Sequence, residues 1–370
     1  VPPYGIKDMY IEKFRAMHDL MIPLGQRITV IAGQNGTGKS TLLGMLGQPF
    51  GLRNARTLFD RTFSTKFTDI FNMSPEHDKP GDHVYFIGFN DTGIPGEQGD
   101  HLQVKSYARP EKDTSHIRMV TGKTRGKGEG NIDYPVIYLG LKRTYPVGEF
   151  QNPKAEKTDL SEEELGEFHE WYSRVIITSG SKFDPVRMSR RGTKETLLVN
   201  TRDYDYLANS AGQDNLGQIL GALISFFRIK EELGDAYRGG LLLIDEFDAT
   251  LFPSSQNSLF DLVYDISESL RLQTVFTTHS ITLIEHALAK VDASSQIRVD
   301  YLRKRDSGIQ LSKNPSIDEI QAALLIEPLS PVKGFKVELW CEDNEAAWLL
   351  RQMMSSKLKQ KCQVIAADLS

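Results

Sequence analysis

Two cysteines in 370 residues, Cys341 and Cys362, are too few for a disulfide scaffold. They lack metal-ligand spacing and read as buried thiols in a reducing compartment. No apolar run approaches the ~20 residues of a membrane helix; the stretch 241–244 is typical of the longest. The N-terminus lacks the basic and apolar regions of a secretory signal. There is no internal repeat and no low-complexity tract. Nor is there a large charge excess: the formal net charge is −5. Overall charge therefore does not announce a nucleic-acid binder, although a local basic patch still can. These absences predict a cytoplasmic protein with no membrane segment. What is present is ordinary for a globular chain, with 39% hydrophobic and 25% charged residues. The length suits one large or two ordinary domains.

The pattern predicts strands over 8–14, 16–22 and 27–32, then a helix from Lys39 to about Leu46 with Leu42, Leu43, Met45 and Leu46 inward. Residues 82–142 read as β-rich, with strands over 83–89, 102–108, 117–121 and 136–139 separated by turn residues. The loop 122–127 is glycine-rich and locally basic, and reads either as a nucleic-acid contact or as a surface excursion. A helical insertion is expected over about 155–208. Its acidic start, Ser161-Glu162-Glu163-Glu164, has capping-box spacing, and its glutamates read as a solvated face. Further on, 213–233 is an amphipathic helix, 241–244 a buried strand, 254–270 a helix and 274–278 another buried strand. Short strands alternating with helices predict an α/β fold with a parallel sheet. Pro328 and Pro331 mark a linker, and 334–370 reads as a strand, a helix and a second strand.

Four motifs carry chemistry. The first is Gly33-Gln34-Asn35-Gly36-Thr37-Gly38-Lys39-Ser40-Thr41, after a strand and opening a helix. Polyphosphate packs several negative charges into a small volume. Glycines let the backbone wrap it, and the helix N-terminus adds partial positive charge. Lys39 suits the β- and γ-phosphates, and the Ser40 hydroxyl suits Mg²⁺. The second motif is the apolar run 241–244 ending in Asp245-Glu246. Asp245 can serve the Mg²⁺ shell and Glu246 can polarise water attacking the γ-phosphate. The third is Thr277-Thr278-His279-Ser280, which puts a histidine at a buried strand end as a γ-phosphate sensor. The fourth is Ser210-Ala211-Gly212-Gln213 at a helix start. It reads as an anion site or as an ordinary cap by Ser210 or Asn209.

In this order the four motifs resemble an ABC-type ATPase head. That resemblance implies ATP and Mg²⁺ as ligands and a homodimer or higher homo-oligomer that sandwiches ATP. Ser210, Ala211, Gly212 and Gln213 would then be a signature loop acting in trans, Glu246 the catalytic glutamate and His279 the switch histidine. Asp248 would belong to a dimer-facing loop. No glutamine matches the family's Q-loop. The Asp-Glu-Phe-Asp run and the Thr-Thr-His-Ser form are similar to the SMC, RecF and OLD branch, but 144–208 lacks the heptads of an SMC coiled coil. The expected domains are an ATPase head with an antiparallel β subdomain over 1–327 and the incomplete beginning of a Toprim-like α/β domain over 334–370. In the latter, Glu342 matches the Toprim acid, or with Glu345 simply starts a polar helix. Asp368 is the one acid after it.

The segments 28–36 and 63–71 are similar to PtuA-type ATPase subunits of Septu anti-phage systems, whose relatives also accompany some retrons. That similarity implies a separate HNH nuclease partner of PtuB type, with DNA or RNA, including retron nucleic acid, as ligand. It makes the chain a regulatory ATPase of a defence complex. The alternatives are an OLD-type Toprim nuclease and a RecF-like repair clamp without nuclease activity.

Overall fold

A computed structural model describes residues 5–65, 70, 73–74, 76–90, 101–108, 117–122, 131–145, 154–176, 183–190, 194–292, 295–305, 308–325 and 337–367. Most of the basic loop 122–127, the prolines 328 and 331, part of 63–71 and Asp368 lie outside the described residues. The chain divides into two compact units, Val1–Pro315 and Ser316–Ser370.

The first unit opens with β1 (Ile6–Phe14), β2 (Met17–Pro23) and β3 (Ile28–Gly33). β1 and β2 form an antiparallel hairpin. β3 is buried along its whole length, as a strand covered on both faces must be. It feeds α1 (Lys39–Gly47), whose Leu42, Leu43, Met45 and Leu46 are buried. β4 (Gly51–Arg56) and β5 (Thr62–Ser64) pair with each other. β6 (Val84–Phe89), β7 (His101–Ala108) and β8 (Ile117–Thr121) then complete a five-stranded antiparallel sheet in the order β2-β1-β6-β7-β8.

β9 (Val136–Leu139) stands outside that sheet and pairs parallel with β13 (Gly240–Ile244). The stretch expected to be helical is mixed. It holds α2 (Glu162–Val175) and a three-stranded antiparallel sheet of β10 (Lys154–Lys157), β11 (Asp184–Arg190) and β12 (Lys194–Asn200). The Ser161–Glu164 capping box forms. Glu164 is buried, not solvated, because it also accepts from Arg228 at 2.7 and 2.9 Å.

The remaining elements are α3 (Ala211–Leu233), β13 (Gly240–Ile244), α4 (Pro253–Ser269), β14 (Leu272–Thr278), α5 (Ile281–Leu288), β15 (Ile297–Arg305) and β16 (Gly308–Lys313). They build a six-stranded sheet in the order β16-β15-β3-β14-β13-β9. All its pairings are parallel except that of the edge strand β16.

One hydrophobic core joins Met9, Ile11 and Ile87 of the antiparallel sheet to Leu42 and Met45 of α1 and to Leu241, Leu243 and Val275 of the parallel sheet. α1 is thus held between two sheets, and each such leucine contributes roughly 1.5–3 kcal/mol on full burial. The Tyr85 hydroxyl adds a bond to the Met45 carbonyl at 2.9 Å. Elsewhere on the parallel sheet, Phe276 stacks on Phe247 at 4.3 Å and meets Phe260 edge-on.

The second unit contains α6 (Ile317–Leu325), β17 (Val337–Cys341), α7 (Asn344–Met353), α8 (Ser356–Lys361) and β18 (Cys362–Ala366). β17 and β18 run parallel, and Ala347, Met354 and Val364 form a small core. The two cysteines were expected buried; both are half-buried and unpaired, at the edge of this small core. Glu342 and Glu345 are exposed, and Asp343 caps α7 by accepting from the Ala346 amide at 2.7 Å.

Candidate nucleotide site

The phosphate-loop sequence lies between β3 and α1. Gly33, Gly36 and Gly38 have φ of 151°, 75° and 86°, a region costly for residues with a Cβ. A side chain at Gly33 would also strike the Leu302 carbonyl at 2.6 Å, whereas Gly36 faces open space. Thr37 is buried and its hydroxyl donates to the Gln34 carbonyl at 2.8 Å. The Lys39 ammonium folds into the loop and donates to the carbonyls of Gly33 and Gln34, both at 2.9 Å. Burial pushes the Lys39 pKa down, and the carboxylates of Asp245, Glu246 and Asp248 oppose that shift. Gln34, Ser40 and Thr41 are half-buried and Asn35 is exposed.

Asp245 and Glu246 follow β13, and His279 follows β14. β3, β14 and β13 are adjacent and parallel, so the loop, the two carboxylates and the histidine come together at one end of the sheet. That is where open α/β sheets gather ligands. Asp245 is buried and accepts from the Thr277 hydroxyl at 2.7 Å. The same hydroxyl accepts from the Glu246 amide at 2.7 Å. Asp248 receives the Thr278 hydroxyl at 2.5 Å and the His279 amide at 3.3 Å. The two threonines of the third motif therefore tie the end of β14 to the loop after β13. The His279 side chain is exposed.

Ser210 and Gln213 form a reciprocal capping box at the start of α3. Gln213 also donates to the hydroxyls of Tyr172 at 3.1 Å and Tyr204 at 2.7 Å. Gly212 lies against the loop after Asp245-Glu246: a Cβ there would stand 2.7 Å from the Thr250 carbonyl. The Thr250 hydroxyl donates to the Ala211 carbonyl at 3.2 Å.

One residue at this end went unread in the sequence. Arg143, in the 3-10 turn Leu141–Thr144 after β9, is 3% exposed. Its guanidinium donates to the carbonyls of Asp245 at 2.6 Å and Glu246 at 2.5 Å. Burial draws its pKa down to about 10, still charged at neutral pH, with Asp245 first among the groups that oppose the shift. A lone arginine after a short strand carries no periodic signal that would have singled it out.

Among the described residues, no cluster of three or more His, Cys, Asp or Glu side chains forms a metal cage. Asp245 and Ser40 offer a carboxylate and a hydroxyl. Such hard oxygens suit Mg²⁺, which usually takes one or two carboxylates and leaves its other positions to phosphate and water. Also among the described residues, no helix is long and apolar enough to cross a membrane.

Residues 146–284 match the family profile of an AAA ATPase domain, and residues 8–52 that of an AAA domain. The OLD nuclease of Thermus scotoductus is 20% identical over 354 residues, covering 81% of this chain and 65% of its own length. The chain thus spans slightly less than two thirds of that relative. Among solved structures, the SMC head domain from Thermotoga maritima aligns with a TM-score of 0.46 and 16% identity, over 84% of this chain and 98% of that one. An SMC head bound to the C-terminal winged-helix domain of ScpA gives 0.49 and 17%, over 86% and 99%. RecF with ATP gives 0.42 and 11%, over 84% and 98%. The sheet order and the phosphate loop define an α/β fold of the ABC-type head.

Proposed function

We propose that the chain binds ATP on residues 33–41 and hydrolyses it, and that turnover opens and closes a pair of heads. The reading rests on the convergence of Lys39, Asp245, Glu246 and His279 at the ends of three adjacent parallel strands. The backbone amides of the loop and the Lys39 ammonium take the β- and γ-phosphates. Ser40 and Asp245 would hold Mg²⁺, which would supply charge neutralisation to the phosphates. Thr277 fixes the Asp245 carboxylate by donating to one of its oxygens. Glu246 accepts a proton from the attacking water, and His279 contacts the γ-phosphate. Ser210, Ala211, Gly212 and Gln213 of a second copy complete the site, so the working form is a homodimer.

We assign the output to a separate HNH nuclease, with the ATPase as its regulator in anti-phage defence. That assignment rests on the sequence similarity to Septu-type subunits. A second reading, a nuclease within the same protein, draws on the 20% identity to an OLD nuclease and on the exposed Glu342 just after β17. Co-expression with a neighbouring HNH gene separates the two. A stable complex whose cutting responds to ATP supports the first. Metal-dependent cutting by the purified full-length chain alone, lost in Glu342→Gln, supports the second.

Two substitutions test the site. Glu246→Gln should keep ATP affinity while turnover drops about 100-fold or more. Lys39→Ala should remove measurable ATP binding in calorimetry. Wild-type turnover in the first variant, or unchanged affinity in the second, would refute the assignment.

A further inference from the structure

Arg143 and Asn215 close a ring of hydrogen bonds around the loop that carries Glu246. The Arg143 guanidinium donates to the Asp245 and Glu246 carbonyls at 2.6 and 2.5 Å, and its Nε donates to Asn215 Oδ1 at 2.7 Å. Asn215, on α3 and fully buried, passes the link on, donating from Nδ2 to the Ala249 carbonyl at 2.7 Å. Gln218, one turn further along α3, donates to the Arg143 carbonyl at 2.8 Å. Arg143 also donates to the carbonyls of Leu139 and Gly140 at 3.3 and 3.1 Å. Within the ring the chain takes an unfavourable path: Glu246 and Thr250 are left-handed, with φ of 50° and 62°. Non-glycine residues hold such angles only where their surroundings over-determine them.

Those surroundings include both halves of the site. On one side are Asp245 and Glu246. On the other is the first turn of α3, where Thr250 bonds Ala211 and Gly212 has no room for a side chain. Asn215 belongs to the helix that begins with that turn.

We infer that Arg143 and Asn215 are positioning residues: they hold the Glu246 backbone in its left-handed form and couple its placement to the Ser210–Gln213 turn of the same copy. The inference rests on the ATPase reading above. A planar guanidinium can serve several carbonyls at fixed angles at once, which a lysine ammonium cannot.

Steady-state ATP hydrolysis by wild type, Arg143→Lys, Asn215→Ala and the double variant tests this. Each single variant should lose at least about tenfold in kcat, as a misplaced catalytic group does. ATP affinity and ATP-driven dimerisation should stay within about threefold of wild type, because binding and closure use other groups. The double variant should be no worse than the poorer single one, since both changes break the same ring. The idea is overturned if a folded Asn215→Ala keeps kcat within twofold of wild type, or if kcat and affinity fall together. Should Arg143→Lys fail to fold, Asn215→Ala alone decides, because it leaves the arginine and its carbonyl bonds intact. A wild-type chain without Glu246-dependent hydrolysis removes the ATPase reading itself, an outcome distinct from normal wild-type turnover with unaffected variants.

Discussion

Single side chains in this protein act mostly by holding backbone. Thr277 and Thr278 lie in a strand that is buried along its length, and each spends its hydroxyl on an aspartate, Asp245 and Asp248 respectively. A similar economy operates away from the nucleotide site. Asp78 receives two bonds from Arg15, at 3.1 and 2.8 Å, one from the Ser74 amide at 2.6 Å and a contact with His83 at 3.0 Å. Burial pushes the Asp78 carboxyl up, but the bonds from Arg15, Ser74 and His83 outweigh it and bring the pKa down to about 2. A carboxyl depressed on folding contributes stability above its unfolded pKa and loses it as pH falls through the folded value. Asp78 therefore stabilises the fold fully at neutral pH, by about 2 kcal/mol, and that share disappears between roughly pH 4 and pH 2. Urea titrations at pH 7 and pH 3 check this. Asp78→Asn should be clearly weaker than wild type at pH 7, and the gap should narrow at pH 3. A gap independent of pH would mean that the carboxylate charge has no part in it. His83 works in the same direction: burial lowers its pKa despite Asp78, so its neutral form belongs to the fold and acid opposes it.

Among the elements, α3 is held close against its neighbour β12. Gly217 in its second turn lies so close to β12 that a Cβ would stand 1.7 Å from the Leu197 carbonyl. Backbone cannot yield as a side-chain tip can. Gly217→Ala should therefore cost 2 kcal/mol or more, about the upper range for overpacking, despite alanine's better helix propensity. Chemical denaturation reads this directly, and a neutral or stabilised variant would show that the helix can slide. How far the elements were legible beforehand follows from the same physics. β3 and β13 read as apolar runs because buried parallel strands have no polar face, whereas β14 reads as a buried strand although it carries Gln273 and three threonines. The capping box at Ser161 is legible because its partners sit three positions apart, while at Ser210 the sequence reading offers an anion site or an ordinary cap and the structure adds the reciprocal bond from Gln213. β9 was expected as a strand, yet its alternation pattern could not tell which sheet it would join. Strands β10 to β12 hid in a stretch whose acidic helix start dominated the pattern. Arg143 was invisible because the acceptors that tie it to the site lie 72, 102 and 103 positions away in sequence.

For the molecule as a whole, the ATP-closed pair is the assembly to test. Glu246→Gln with ATP and Mg²⁺ should sediment as a dimer, and as a monomer without nucleotide. Ser210→Arg places bulk and charge at an exposed position. It forfeits a cap worth about 1 kcal/mol, stays folded, and should block the dimer. A dimer that forms equally well without ATP would leave no switch. The strand order carries a last consequence. β3, which delivers the phosphate loop, has β14 and β15 as its two neighbours. Even the amide and carbonyl of Ile6 bond the buried side chain of Gln273. On the ribosome, residues 33–41 are made well before either strand that flanks β3: β14 is complete at about residue 278 and β15 at about residue 305. Domains fold as units during synthesis, so the nascent chain stays blind to nucleotide until those flanking strands have been made.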